Sequence, residues 1–277
     1  MCDFAEDQYK IGIESFNKCD CKKAIAWFEK AASQGLAKAQ YSLGICYDRG
    51  YGVEQDYALA AEWYRKAAEQ NHAKAQYNLS VCYHNGDGVM PSIELAVKWL
   101  EKAAEQGDIK AQYELGICYE RGGGVEYDYS LAAEWYMKAA EQSLAKAQFN
   151  LGICFEYGYG TKQSFELAAK WYKKAAEQSY ADAQNRLGVC YCRGNGVEQS
   201  FESAAELFRK AAEQGHAGAQ YNLVLCYECA YGVNHNMALA FELYRKAAGQ
   251  GLIKSQDNLE LFFAKLKKKR DKQVCLD

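Results

Sequence analysis

The chain has 277 residues, with 33 basic and 36 acidic side chains, a net charge of −3 and a single proline, Pro91. Charges of both signs are mixed along it, which argues against a nucleic-acid binder, and no run of about 18 apolar residues exists, so no transmembrane helix is expected. The near absence of proline, which breaks helix interiors, fits a mostly helical chain.

The start, Met1 to Asp7, lacks the basic and apolar stretches of a signal peptide. Cytoplasm is the expected location, with export by a non-classical route left open. Trp27, Trp63, Trp99, Trp135 and Trp171 follow one another at intervals of 36 residues, and Cys46, Cys82, Cys118, Cys154, Cys190 and Cys226 keep the same beat. A fixed period of this size marks stacked supersecondary units rather than an ordinary compact domain.

In chain order, residues 1–36 read as a shortened first repeat, in which Ile11-Gly12-Ile13 echoes Leu43-Gly44-Ile45 and Trp27 restores the phase. Residues 37–252 hold six 36-residue repeats. In the first of these, Ala39, Leu43, Cys46 and Tyr47 stand at helical spacing. Gly50 then ends the helix, since glycine accepts the left-handed cap without a Cβ penalty. Its equivalents are Gly86, Gly122, Gly158 and Gly194, with Ala230 departing. A loop carrying Gly52-Val53 follows, its valine expected to plug the gap between helices.

The second helix of each repeat starts at Asp56, Ser92, Asp128, Ser164, Ser200 or Asn236, all side chains that cap first-turn amides. Its body carries Ala60, Trp63, Tyr64, Ala67 and Ala68, and Glu62–Lys66 and its equivalents are i,i+4 pairs on a solvated face. Gly44 and Ala67, with their equivalents, let backbones approach closely. Residues 253–270 read as a lone capping helix and 271–277 as a tail. The basic run 265–272 reads as a solvated cap face, with nuclear import or attraction to an acidic surface as the alternatives.

The string L-G-x-x-Y-x-x-G-x-G-V followed by A-x-x-W-Y-x-K-A-A appears as Leu43-Gly44, Tyr47, Gly50, Gly52-Val53, Ala60, Trp63-Tyr64 and Lys66-Ala67-Ala68. It recurs from about residue 5 to 269, with lapses at Ser80, Thr161, Leu207, Val224, Ala230 and Leu243. This pattern resembles the Sel-1-like repeat (SLR) family, itself similar to tetratricopeptide (TPR) proteins with a longer inter-helix loop. The resemblance implies an all-α, right-handed α/α superhelical solenoid that serves as an adaptor and has no general catalytic residue. A monomer binding a protein or peptide is therefore expected, without cofactor.

In TPR arrays the first helices line an inner groove, which selects repeat positions two, five, nine, twelve and thirteen. These give Lys38, Lys74, Lys110 and Lys146; the aromatic ladder Tyr41, Tyr77, Tyr113, Phe149 and Tyr221; His84; and Arg49, Arg121 and Arg193. Tyrosine offers large contact area with a polar tip, which suits an interface. The ladder also admits a plain reading, as packing between neighbouring first helices. Lys74 with Asn78, Lys146 with Asn150, Arg186, and Lys254 with Asn258 suggest a sharper device, because a lysine and an asparagine at i,i+4 face one way and can grip a carboxylate.

The cysteine ladder reads as structural core, since buried free cysteine behaves as a small apolar residue. A cysteine-rich branch of the family staples each repeat with a pair, but here Ala68 and its equivalents stand where the partner would sit. The spacings Cys226-x-x-Cys229 and Cys19-x-Cys21 are at most half of a zinc site, which needs about four ligands. Two S-x-x-K strings, Ser15 to Lys18 and Ser143 to Lys146, match penicillin-recognising enzymes but lack S-D-N or K-T-G partners. With the β-lactam binding linked to the cysteine-rich branch, they keep a β-lactam-directed or cell-wall hydrolase as one alternative; a structural spacer is the other.

Overall fold

The computed structural model describes residues 2–250, with side-chain surroundings from residue 4 onward. The capping helix expected over 253–270, the tail, and the pair Lys254–Asn258 lie outside the described residues. Among the described residues fourteen α-helices form seven hairpins, and the chain divides into two compact units, Met1–Gln142 and Ser143–Asp277.

The first unit pairs α1 (Cys2–Asn17) with α2 (Cys21–Ser33), α3 (Ala37–Arg49) with α4 (Tyr57–Glu69), α5 (Ala73–Asn85) with α6 (Ile93–Glu105), and α7 (Ile109–Arg121) with α8 (Tyr129–Glu141). The second pairs α9 (Ala145–Tyr157) with α10 (Phe165–Glu177), α11 (Ala181–Arg193) with α12 (Phe201–Glu213), and α13 (Ala217–Cys229) with α14 (Met237–Gly249). Within each unit the second helix of one hairpin packs on the first helix of the next.

The caps act as their chemistry requires. Asp56 accepts from the Leu59 amide, Ser92 from Leu95, Asp128 from Ser130 and Leu131, Ser164 from Leu167, Ser200 from Ser203, and Asn236 from Ala238 and Leu239. Each such cap is worth about 1 kcal/mol. Asp20 caps α2 in the same way. Three first helices carry caps that the repeat pattern hides: His72, Asp108 and His216 accept from Ala75, Ala111 and Ala219. All the first helices from α3 to α13 end on a left-handed residue; Ala230 adopts it too, at φ 57°, despite its Cβ.

Glycine at repeat position eight faces the ring at position 28. A Cβ on Gly152 would stand 2.5 Å from the Tyr172 ring, and one on Gly116 would stand 2.6 Å from that of Tyr136, well inside van der Waals contact. Hence glycine lets a large ring lie flat on a helix backbone. Where Val224 takes this position, the Tyr244 ring meets Tyr221 edge-on at 61° instead of the 41° tilt of Tyr136 on Tyr113.

Hairpin joins to hairpin by three devices. Trp63, Trp99 and Trp135 each pack on the cluster that the preceding second helix forms with the first helix of their own hairpin, and Val53, Val89 and Val125 do the same from the loops. Each tryptophan also lies under the lysine three residues on, with Lys138 Nζ 3.6 Å from the Trp135 ring centre and Lys66 4.2 Å from that of Trp63. The third device is a ladder of buried glutamines. Gln76 donates to the Ala68 carbonyl of the preceding second helix at 3.0 Å and accepts from Gln106 of its own hairpin at 2.6 Å. Gln40, Gln112, Gln184 and Gln220 repeat that arrangement. Buried amides that satisfy one another this way fix register, because any slip leaves a donor unpaired.

Candidate functional site

Position twelve of the first helix and position 28 of the second vary together among the hairpins. Tyr136 donates to Glu120, Tyr172 to Glu156, and Tyr244 to Glu228 at 3.1 Å. Where position twelve carries no acid, position 28 carries no hydroxyl: Phe16 stands with Phe28, His84 with Leu100, and Cys192 with Phe208. Asp48 with Tyr64 is the exception. Its carboxylate, one methylene shorter, pairs with Arg49 at 3.2 Å, and the Tyr64 hydroxyl is buried without a hydrogen-bond partner, Asn78 approaching it outside bonding geometry. These acids therefore complete the interior and do not point freely at a partner.

Two of the acid-free hairpins are filled by phenylalanine, but the one spanning 73–108 is not. Leucine at 100 leaves the space of a phenol ring vacant. A pocket of about 580 Å³ opens there between α5, α6 and α7, with Val81, Val97, Leu100 and Ile117 among its walls and Ser80, His84, Glu114 and Arg121 supplying its polar atoms. Gly123 leaves its mouth open, since Tyr51, Tyr159 and Tyr231 occupy the same loop position in other repeats.

A second hollow of about 530 Å³ lies next to it on the face of the first helices. Tyr41 of α3, Lys74, Tyr77 and Asn78 of α5, and Lys110 of α7 line it, with the turn Gln106–Asp108 and Gln142. Tyr77 is common to both hollows. Lys74 and Lys110 are exposed, the Lys110 ammonium 6.0 Å from the Tyr77 ring centre. Asp108, the acid nearby, is held as the cap of α7.

Seven of the residues selected from sequence thus gather around these two hollows: Tyr41, Lys74, Tyr77, Asn78, His84, Lys110 and Arg121. Others stand apart or are engaged. Lys38 pairs with Glu6 at 3.1 Å, and Arg186 reaches Glu156 at 3.7 Å and the Tyr157 hydroxyl at 3.3 Å. Phe149 packs against Tyr172 and Tyr180, Tyr113 against Tyr136, and Tyr221 against Tyr244. Lys146 and Arg193 are exposed and Asn150 is half-buried. Along the aromatic ladder each ring is half-buried against its own second helix and half open, so it serves packing and surface together.

In the second unit the hollows fall on the second helices instead. Where Leu207 and Leu243 stand in place of tryptophan, spaces of about 280 and 180 Å³ open beside them. Neither holds a residue selected for the groove.

The cysteine ladder is core. Cys46, Cys82, Cys190 and Cys226 are buried free thiols, Cys154 is buried and Cys118 is half-buried. Burial pushes Cys46, Cys82 and Cys226 up to about 12 from an ordinary 9.0. Of the two S-x-x-K serines, Ser15 is buried and donates to the Ile11 carbonyl at 2.9 Å, while Ser143 sits in a turn at φ 67°. Among the described residues no helix is long and apolar enough to cross a membrane.

Of the pocket walls, Val81 and Ile117 stand at groove position nine, while Leu100 and Gly123 escape a reading by groove positions. The signal that reveals them is the coincidence of departures from the repeat at positions 8, 12 and 28 of one hairpin and position 15 of the next.

The sequence profile of the Sel1 repeat matches residues 9–36, 37–72, 73–108, 109–144, 145–180, 181–216 and 217–252. The crystal structure of c5321, a protective antigen of uropathogenic Escherichia coli strains displaying an SLR fold, is similar over 92% of this chain and 56% of its own, with a TM-score of 0.87 and 39% identity. A Sel1 repeat protein from Oxalobacter formigenes is similar over 87% of this chain and 96% of its own, with a TM-score of 0.76 and 32% identity. DAP3-binding cell death enhancer 1 from Rattus norvegicus is 38% identical over 50 residues, and the chain spans 10% of its length. The fold is thus an all-α array of SLR hairpins, of the kind that generally serves as a protein-interaction scaffold. With seven matched repeats covering residues 9–252, the chain belongs to the Sel1 repeat family.

Proposed function

We propose that this protein is a non-catalytic adaptor that holds a peptide or protein partner on the face of its first helices. The observation that carries this reading is the hollow in which Tyr41, Lys74, Tyr77, Asn78 and Lys110 converge from three successive first helices. Aromatic contact area beside unpaired cations on a preformed surface suits an acidic partner segment. Lys74 and Asn78 line one hollow, which supports a carboxylate grip at that pair. The free, buried thiols support residence in a reducing compartment such as the cytoplasm.

The test is affinity capture with the full chain against a Lys74→Glu, Lys110→Glu variant, compared by quantitative mass spectrometry. Partners recovered by the native chain and lost from the variant support the reading. Partners retained equally by both would remove the first-helix face from the account.

A further inference from the structure

The hairpin at 73–108 departs from the other repeats at several positions whose side chains meet in one place. Ser80 replaces the glycine of five other hairpins, His84 the acid of four, and Leu100 the large ring of all the rest; across the gap, Gly123 stands where three repeats carry tyrosine. Singly, each is an ordinary lapse in a repeat. Together they empty one volume and uncover it.

The neighbouring hairpins show what would otherwise cover it. Tyr51 lies against Phe16 at 5.6 Å and Tyr231 stacks on Phe201 at 4.8 Å, so a loop tyrosine shields positions twelve and 21 of the hairpin before it. The corresponding walls here are His84 and Ile93, and both line the open pocket. Gly123 has nothing within 3.7 Å of where a Cβ would stand and is not among the positive-φ glycines, so neither space nor backbone demands glycine there.

We infer that residues 73–124 form a two-part specificity site, resting on the adaptor reading above. The apolar pocket takes a bulky aromatic or branched aliphatic side chain of a partner peptide. The adjoining hollow takes a carboxylate from a neighbouring residue of the same peptide, between Lys74 and Lys110. At about 580 Å³ the pocket is within the range that encloses a drug-sized group. Most of its lining is apolar, so it favours an uncharged side chain. The Lys110 ammonium lies 6.0 Å from the centre of the Tyr77 ring that both chambers share, a span of one to two residue steps in an extended peptide at ~3.5 Å each. An acidic residue adjacent to an apolar anchor is the occupant whose chemistry matches both chambers.

A random dodecapeptide library displayed on phage is selected on the full chain, and the most enriched sequence is synthesised with a fluorescein label for anisotropy titration. The pocket is closed in two independent ways. Gly123→Tyr caps its mouth, and Ser80→Gly with His84→Glu and Leu100→Tyr rebuilds the filled interior that Gly152, Glu156 and Tyr172 show. Asn195→Tyr, at the same loop position in the second unit, is the control.

The expected result is enrichment of an aromatic or branched residue beside Asp or Glu. Affinity falls about tenfold or more in both closed variants, falls comparably in Lys74→Glu, Lys110→Glu, and is unchanged in Asn195→Tyr. Thermal melting of the triple variant is at or above that of the native chain, which separates loss of binding from loss of folding. Enriched peptides that bind the closed variants as tightly as the native chain overturn the pocket while leaving the adaptor reading standing. Peptides without acidic residues, indifferent to the lysine reversal, overturn the second chamber. No enrichment at all would count against the adaptor reading itself.

Discussion

The hairpins at 73–108 and 145–180 share a framework and differ in what it encloses. Gln76, Leu79, Trp99, Lys102 and Gln106 in the first correspond to Gln148, Leu151, Trp171, Lys174 and Gln178 in the second, with the same glutamine bond and the same lysine over tryptophan. Yet Gly152, Glu156 and Tyr172 fill the second hairpin, while Ser80, His84 and Leu100 leave the first hollow. Stacking therefore depends on one set of positions and interior filling on another. A repeat array can give up the second set in one hairpin and keep its place in the stack.

The contrast should be broken most strongly at position eight. Gly152→Ala drives a Cβ into the Tyr172 ring and should cost about 2 kcal/mol after the gain in helix propensity. Ser80→Ala, facing a leucine, should stay within about 0.5 kcal/mol, since the only bond lost is to the Tyr77 carbonyl of its own helix. Urea unfolding of both variants checks this. Equal losses would mean that the glycine–ring contact is not what distinguishes the hairpins.

The next effect lies in the hydroxyls. Tyr136→Phe leaves the half-buried Glu120 without its donor and should cost about 1–2 kcal/mol. Tyr64→Phe removes a hydroxyl that already lacks a partner and should be neutral within about 0.5 kcal/mol. Smaller, and of opposite sign, is Asp48→Glu, whose added methylene lets the carboxylate reach Tyr64, for a gain of about 1 kcal/mol. Differential scanning calorimetry reads all of these, and a loss in Asp48→Glu would refute the pairing rule.

The last effect, felt only at alkaline pH, comes from the thiols. Cys46, Cys82 and Cys226 are raised from 9.0 to about 12, so the folded chain holds protons that the unfolded chain releases. Their contribution is whole below about pH 9 and is lost as pH climbs toward 12. In thiol labelling of the native protein at pH 8, the exposed Cys19 and Cys229 should react first among the cysteines whose surroundings are described. Early labelling of Cys82 would contradict its burial.

Much of the framework is legible in the residues because it rests on local chemistry. The 36-residue beat of tryptophan and cysteine, the six second-helix caps and the glycine stops each act within a few residues of themselves. The glutamine ladder is harder to see. Gln76 reads as a surface residue until Ala68 and Gln106 are brought to it by stacking. The same holds for Ala230, whose left-handed conformation is imposed by the repeat around it rather than by its own preference.

The candidate site was half legible. Lys74, Tyr77 and Lys110 follow from the face they share, but the pocket beside them is written as missing atoms. A leucine where a tyrosine recurs carries no chemical flag. Its meaning emerges only when Ser80, His84 and Gly123 are found against the same void.

Hydrogen exchange of the full chain, with and without a saturating enriched peptide, tests the account most directly. Slowed exchange concentrated in 73–124, with the second helix 129–141 unchanged, is the predicted pattern. Protection confined to the second helices, or spread evenly over every hairpin, would contradict it.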